Sequence, residues 1–142
     1  MYTMIMALLA LFAWSFLAAT VLPLSSEAPL VVYVRSYGQV AIPVLVATAG
    51  NYLGACTTYW LARRAAQALG KGQATEESQS RSARLLRRFG QPVLLLSWVP
   101  ILGDALVALA GAMRLPFGAF SFWVIIGKGL RYLAVAWAVS AL

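Results

Sequence analysis

The sequence predicts an all-α integral membrane protein, and three observations carry that prediction. First, 62% of the 142 residues are apolar and only 11% are charged, whereas a soluble domain has roughly 25% charged residues. Second, residues 1–26, 36–62 and 91–103 contain no charge, and apolar runs of about 18 or more residues are typical of transmembrane helices. Third, these runs show no period-two alternation, which favours helices over the strands of a membrane barrel.

Reactive and metal-binding side chains are scarce in this sequence. Histidine is absent and Cys56 is the only cysteine, so the commonest general base, a disulfide framework and the usual metal ligands are missing. An intramembrane enzyme needs a nucleophile beside a base, and only Ser97 near Asp104 offers one, with nothing to orient it. We therefore expect a protein that is not an enzyme and that uses no metal and no cofactor.

The net charge is +7, and most of the excess lies in one loop, residues 63–91, where only Glu76 and Glu77 are acidic. Its basic residues are Arg63, Arg64, Lys71, Arg81, Arg84, Arg87 and Arg88. Basic loops lie on the cytoplasmic side of the membrane, so we predict that this loop is cytoplasmic. It would lie against anionic headgroups, where each basic residue adds about 1 kcal/mol of attraction. Nucleic acid is not an expected partner, because no folded basic face with interleaved aromatic residues is present.

Part of this loop has the pattern of a helix, and we predict one over residues 75–89. Thr75 can cap its start, acidic residues occupy the first turn and arginines the last, which complements the helix macrodipole. An apolar stripe is formed by Leu85, Leu86 and Phe89. This pattern indicates an amphipathic helix in the cytoplasmic interface, although a charged helix surrounded by water stays open.

Two apolar regions are interrupted by prolines and an acid. The first contains Pro23 and Glu27, and the second contains Pro100, Gly103 and Asp104. A carboxylate in hydrocarbon costs at least ~2.5 kcal/mol, and irregular backbone at that depth needs surrounding protein or a water-filled cavity. Because the apolar stretches beside Asp104 are too short to cross alone, we predict a re-entrant hairpin at each break.

The two interrupted regions also resemble each other. A shift of 77 residues aligns five pairs: Pro23 with Pro100, Glu27 with Asp104, Gly50 with Gly127, Leu53 with Leu130, and Trp60 with Trp137. We therefore predict one membrane domain, 1–142, with repeats at about 14–62 and 91–140. Each repeat would be a hairpin followed by one span, at 39–63 and 117–141. One crossing per repeat inverts the second copy, as in many secondary transporters.

Four charged residues and one amide lie within these apolar segments. Lys128 and Arg131 are three residues apart, and so on one helix face. We expect them to meet Glu27 and Asp104, either as structural ion pairs or in a polar cavity that binds a charged headgroup or relays protons.

For Asn51 we expect an interhelical hydrogen bond. Close helix packing is the role expected of Gly50 and Gly54.

Several motifs resemble the DedA family, whose members are also described as SNARE-associated Golgi or VTT-domain membrane proteins. The most specific is Arg88-Phe-Gly-Gln-Pro-Val-Leu-Leu-Leu-Ser-Trp-Val-Pro100-Ile-Leu-Gly-Asp104. Pro23-Leu-Ser-Ser-Glu27 is similar to the family's Pro-x-x-small-Glu motif, and Gly50-Asn-Tyr-Leu-Gly54 to its glycine-rich span. The resemblance covers the whole chain and is strongest to a short branch of bacterial inner-membrane proteins.

This resemblance implies two re-entrant hairpins in a bacterial cytoplasmic membrane. For the family it implies movement of lipids between leaflets, including a polyprenyl-phosphate carrier, with proton coupling in some members. Glu27 matches the family's acidic position. The chain departs from the family where Ser97 and the pair Gly103 and Asp104 replace arginines, and where Ala55 replaces an acid.

Two function classes follow from the residues and the resemblance together. The leading hypothesis is a transporter or scramblase of a lipid or other amphipathic anion, with proton coupling open and with a site of Glu27, Asp104, Lys128, Arg131 and Asn51. The alternative is a structural or interaction subunit of an envelope complex. Under either hypothesis a homodimer is plausible, because so short a chain offers little protein to surround buried charges.

Overall fold

The computed structural model describes residues 1–20, 25–70 and 81–142. Within these ranges the chain is mainly helical and contains no strand, so the prediction of an all-α protein is confirmed for the described residues. The elements are α1 (Tyr2–Thr20), α2 (Glu27–Tyr37), α3 (Ala41–Leu69), α4 (Arg81–Phe89), a 3₁₀ helix (Gln91–Trp98), α5 (Leu102–Ala112) and α6 (Phe117–Ser140). Pro23 and the first six residues of the predicted amphipathic helix, 75–80, lie outside the described residues.

Two described helices are long and apolar enough to cross a membrane, α1 and α6. Helix α6 corresponds to the span predicted over 117–141. Helix α1 runs unbroken from Tyr2, whereas the first predicted repeat begins at about residue 14. The reason is composition, because α1 contains neither proline nor glycine to interrupt it. Helix α3 has 29 residues and covers the other predicted span, but polar residues lower its mean hydropathy.

The chain forms two compact units. The first unit consists of residues 1–54 and 128–142, and the second consists of residues 55–127. Helices α3 and α6 each contribute to both units. This division differs from the predicted repeats, whose boundaries at about 14–62 and 91–140 remain a prediction.

The first unit combines α1 and α2 with the beginning of α3 and the end of α6. Its apolar core consists of Leu11, Leu30, Val34, Val44, Ala47, Tyr132 and Ala136. Gly50 lies against α1 so closely that a Cβ there would be 2.6 Å from the carbonyl oxygen of Phe12. At Gly54 an added Cβ would similarly clash with the Phe16 carbonyl. The close-packing role expected of these two glycines is therefore confirmed.

The second unit contains the predicted break around Pro100. The helical path is interrupted between the 3₁₀ helix and α5, where Ile101 adopts a positive φ of 67°. Gly103 and Asp104 lie in the first turn of α5. A Cβ at Gly103 would clash with the backbone of Ser97, so the close approach of α5 to the 3₁₀ helix requires glycine there.

Helix α4 differs in one respect from the amphipathic helix predicted from sequence. Leu86 is only 3% exposed, and Ala83 is also buried. The apolar stripe therefore faces protein at Leu86, while Phe89 is exposed. The reason is that α4 packs against both the 3₁₀ helix and α5, which offer it an apolar surface.

Candidate functional site

The first unit contains a cluster of polar side chains in an otherwise apolar interior. We call it the polar cluster, and its members are Ser26, Glu27, Asn51, Lys128, Arg131 and Tyr132, with the backbone carbonyl of Ser15. Helix α6 supplies Lys128, Arg131 and Tyr132, whose spacing places them along one helix face. The other members come from α1, α3 and the start of α2.

The pair Arg131 and Glu27 ties the start of α2 to α6. Arg131 Nε donates to Glu27 Oε1 at 2.6 Å, and Nη2 lies 2.5 Å from the same oxygen. Hydrogen bonds between two charged groups are shorter and stronger than neutral ones. Glu27 is the first residue of α2, where the helix macrodipole also favours a negative charge. The expected meeting of an acid and a base within apolar segments is therefore found for these two residues.

Lys128 is the most deeply buried charged residue of the polar cluster, with 4% of its surface exposed. Its Nζ donates to Oδ1 of Asn51, and Asn51 Nδ2 donates to the carbonyl oxygen of Ser15 at 3.2 Å. Asn51 thus joins α6 to α1 from its position on α3, which confirms the predicted interhelical hydrogen bond. Burial of an ammonium group is costly unless hydrogen bonds compensate it, and the bond to Asn51 offsets part of that cost.

Tyr132 and Ser26 belong to the same cluster and were not singled out from the sequence. Tyr132 Oη donates to Ser26 Oγ at 2.6 Å, and both residues are buried. Ser26 immediately precedes α2, yet its side chain makes no capping bond to the helix. Its hydroxyl accepts from Tyr132 instead, which gives α2 a second attachment to α6. The available signal was spacing, because Tyr132 follows Lys128 by one helical turn.

Asp104 belongs to the second unit, where it is the third residue of α5. The structure therefore brings four of the five predicted site residues together, namely Glu27, Asn51, Lys128 and Arg131. That Asp104 acts with them remains a prediction. Pro100 and Gly103, predicted to form the second break, lie beside Asp104 as expected, and Pro23 lies outside the described residues.

Metal binding and nucleophilic catalysis are two other kinds of site. Among the described residues, no group of three or more His, Cys, Asp or Glu side chains could hold a metal ion. Ser97 is 3% exposed, and its hydroxyl has no hydrogen-bond partner among the described residues, so no base there activates it.

The membrane-length helices and the buried polar cluster define a small α-helical membrane protein. A family model described as the VTT domain matches residues 3–141. The chain is 42% identical over 132 residues to the inner membrane protein YqaA of Escherichia coli, covering 92% of this chain and 89% of that protein. The protein of the same name from Shigella flexneri gives the same values.

A further relative is an uncharacterized protein of Haemophilus influenzae, 39% identical over 140 residues, with 88% of this chain and 82% of the relative covered. No solved structure gives a significant match. The chain therefore belongs to the VTT-domain family, also called the DedA family, and to its YqaA-like branch. Its location is the bacterial inner membrane.

Proposed function

We propose that this protein moves a lipid or another amphipathic anion across the bacterial inner membrane through the polar cluster of the first unit. The observation that carries the proposal is the burial of Lys128 next to an ion pair, within a chain that has so few charges. Ionisable residues within membrane segments are expensive and are usually retained for function. Lys128, Arg131 and Glu27 together leave one net positive charge, which favours an anionic headgroup.

The ion pair suggests how binding and release could alternate. An anionic headgroup would compete with the Glu27 carboxylate for Arg131, since both are acceptors for the same guanidinium. Protonation of Glu27 would weaken its hold on Arg131 and leave the guanidinium to the headgroup. Deprotonation would restore the pair and expel the headgroup. We propose that proton coupling occurs at this step.

We also propose that the two breaks form re-entrant hairpins within an inverted repeat. The helices on either side of Pro100 support this. The 3₁₀ helix has 8 residues and α5 has 11, so each is only about 16 Å long, whereas the bilayer core is about 30 Å thick. The contact between Asn51 and Lys128 supports it too, because these residues are 77 positions apart and are therefore equivalent under the predicted repeat. Asp104 would then be the counterpart of Glu27 in the second hairpin.

The basic loop 63–91 supplies a proposed membrane partner. Within it, Arg81, Arg84, Arg87 and Arg88 of α4 are all exposed, and α4 contains no acid. We propose that this loop is cytoplasmic and that these arginines contact anionic headgroups.

We also propose a homodimer, because a second copy would surround the polar cluster with further protein.

Leaflet exchange of a fluorescent phosphatidylglycerol in liposomes containing the purified protein tests the proposed function. We expect the wild type to be active and the Glu27→Gln, Asp104→Asn double variant to be inactive. Arg35→Gln is a matched control, because Arg35 is an exposed charge on α2 outside the cluster. Unchanged exchange activity in the double variant would show that Glu27 and Asp104 are not part of the transport site.

A second candidate function is that of a structural subunit of an envelope complex. The observation that favours it is the direct pairing of Glu27 with Arg131, which can stabilise helix packing without any substrate. Crosslinking in native membranes distinguishes the two candidates. A constant hetero-complex together with no leaflet exchange would favour the subunit, whereas exchange by the purified protein alone would favour the transporter.

A further inference from the structure

Two arginines of the second unit lie where apolar runs of the sequence end. Arg63 is the first charged residue after the uncharged stretch 36–62, and Arg114 precedes the uncharged stretch 115–127. Charged residues at the ends of apolar membrane segments lie at the level of the lipid headgroups. Trp60, one turn before Arg63, is 45% exposed, and exposed tryptophan is enriched at the same level. This end of the second unit therefore has the composition of a membrane–water interface.

The guanidinium of Arg63 is held in one orientation by two residues of its own helix. Its Nη1 donates to Tyr59 Oη at 3.3 Å, and its Cζ lies 5.3 Å from the centre of the Trp60 ring. The edge formed by Nε and Nη2 makes no hydrogen bond with any described residue. Because a guanidinium is a planar fork of donors, this free edge can bind an oxyanion through two parallel hydrogen bonds.

Tyr59 connects this guanidinium to the second arginine. The Tyr59 side chain is fully buried, and its hydroxyl donates to the carbonyl oxygen of Leu115 at 2.5 Å. Leu115 directly follows Arg114, so Arg63 is two hydrogen bonds away from the backbone next to Arg114. The two arginines, from α3 and from the end of α5, are therefore neighbours in space.

Arg114 has a backbone conformation that favours another residue. Its φ is 55°, and Leu115 N donates to the carbonyl oxygen of Ala110, so Arg114 is the left-handed residue that ends α5. Glycine is the usual residue at such a position, because other side chains are strained there. The Arg114 side chain is exposed, so packing does not account for it. Its charge is the property that remains, and strain of this kind is often retained for function.

No acid lies close to these two arginines in the part of the second unit that the structure describes. Within residues 55–70 and 81–127 the one acidic residue is Asp104. It lies at the opposite end of α5 from Arg114, about 15 Å away along the helix. Two guanidinium groups without a nearby acid attract an anion, and phosphate matches the geometry of their donors.

We propose that Arg63 and Arg114 bind the phosphate group of an anionic glycerophospholipid, with Trp60 beside the start of its acyl chains. Free phosphate has the same oxygens, but Trp60 and Phe117 are exposed aromatic rings 5.6 Å apart and suit a lipid. The site lies in the second unit and goes beyond the proposed transport through the polar cluster. It also differs from the headgroup contacts of α4, because it requires an oriented fork and not charge alone.

Lipid binding to the purified protein in a neutral detergent tests this site. Phosphatidylglycerol is titrated into the protein, with phosphatidylcholine of the same chains as the neutral comparison, and bound lipid is counted by native mass spectrometry. Arg63→Lys is compared with Arg64→Lys, because both variants keep the charge. Arg64 is an exposed neighbour on α3 that makes no hydrogen bond with the described residues. Lipid bound elsewhere on the protein is the same in both variants and cancels in the comparison.

We expect the wild type to prefer phosphatidylglycerol to phosphatidylcholine. Arg63→Lys should bind phosphatidylglycerol about tenfold more weakly, the effect of losing one charged hydrogen bond, because lysine has neither the fork nor the planar face that contacts Trp60. Arg64→Lys should bind like the wild type.

The variant Arg114→Gly separates lipid binding from stability. Glycine suits the left-handed backbone, so the unfolding midpoint without lipid should be unchanged or higher. Binding of phosphatidylglycerol should nevertheless be about tenfold weaker, and a folding defect would not explain that loss. Arg64→Gln removes the same charge from a neighbouring position and should bind more tightly than Arg114→Gly.

Three results would overturn the site. The first is wild-type affinity in Arg63→Lys, because charge alone would then be sufficient. The second is displacement of the bound lipid by inorganic phosphate, which would assign the two arginines to a soluble anion. The third is a lower unfolding midpoint with unchanged lipid binding in Arg114→Gly, because Arg114 would then serve only the end of α5.

Discussion

Arg131 on α6 and Glu27 at the start of α2 form an ion pair across 104 positions of sequence, with 2.6 Å between Nε and Oε1. The pair is partly exposed, with 19% of the Arg131 side chain and 37% of the Glu27 side chain accessible. It is therefore neither a fully buried structural pair nor a surface pair of little consequence. An ion pair in this position can hold α2 in place and can also be opened by a competing anion.

The first prediction concerns the energetic coupling of this pair. In a double-mutant cycle with Glu27→Ala and Arg131→Ala, we expect a coupling free energy of about 0.5–1 kcal/mol, because partial exposure screens the charges. Thermal or denaturant unfolding in a mild detergent measures it. The corresponding cycle between Arg35 and Glu27 is the control, and a coupling near zero for Arg131 and Glu27 would show that the pair does not hold α2.

A second prediction concerns Asn51. Asn51→Leu should lower the free energy of unfolding by about 1–3 kcal/mol, because the variant removes one acceptor of buried Lys128 and one donor to Ser15. Adding Lys128→Met should recover part of that loss, since no buried charge then remains to be satisfied. If the double variant is less stable than Asn51→Leu alone, Lys128 does not depend on Asn51 in the way proposed.

The glycines provide a third prediction. At Gly111 an added Cβ would clash with the carbonyl oxygen of Tyr59, whereas at Gly118 nothing lies within 4 Å. Gly111→Ala should therefore destabilise the second unit by about 1–3 kcal/mol, and Gly118→Ala should be neutral or stabilising by about 0.5–1 kcal/mol. The unfolding midpoints of the two variants measure this difference in stability. Similar midpoints would contradict the close approach of α3 and α5.

The fourth prediction concerns membrane sidedness. With Cys56 replaced by serine, a cysteine introduced at Arg84 should react with a membrane-impermeant thiol reagent only after the inner membrane is opened, because a basic loop remains on the cytoplasmic side. A cysteine introduced at Tyr2 is the comparison, since one crossing per repeat on either side of a cytoplasmic loop would place both termini outside. Labelling of the Arg84 position in spheroplasts with intact inner membranes would reverse the predicted topology.

The sequence was sufficient to predict the class of the fold and most of the polar cluster. Charges are so rare in the apolar segments that Glu27, Lys128 and Arg131 had few partners available other than one another, Asp104 and Asn51. The partner of each base could not be predicted, because it depends on how α6 lies against α2 and α3. That arrangement is fixed by packing, as at Gly50, and sequence spacing does not encode it.

Other features of the structure could not be predicted from the sequence, because they depend on how the helices pack. The bond between Tyr132 and Ser26 joins two ordinary residues, and only the packing of α2 against α6 reveals it. The burial of Leu86 follows from the surface offered by the 3₁₀ helix and α5. An apolar stripe that faces lipid has the same periodicity as one that faces protein.

The most direct measurement is leaflet exchange of phosphatidylglycerol and phosphatidylcholine, compared in the same liposomes for wild type, Lys128→Met and Arg35→Gln. We expect the wild type and Arg35→Gln to exchange phosphatidylglycerol faster than phosphatidylcholine. Lys128→Met should lose about tenfold or more of the phosphatidylglycerol rate, the effect of removing one charged hydrogen bond to the headgroup. Equal rates in Lys128→Met and wild type, or no exchange by the wild type, would contradict transport through the polar cluster.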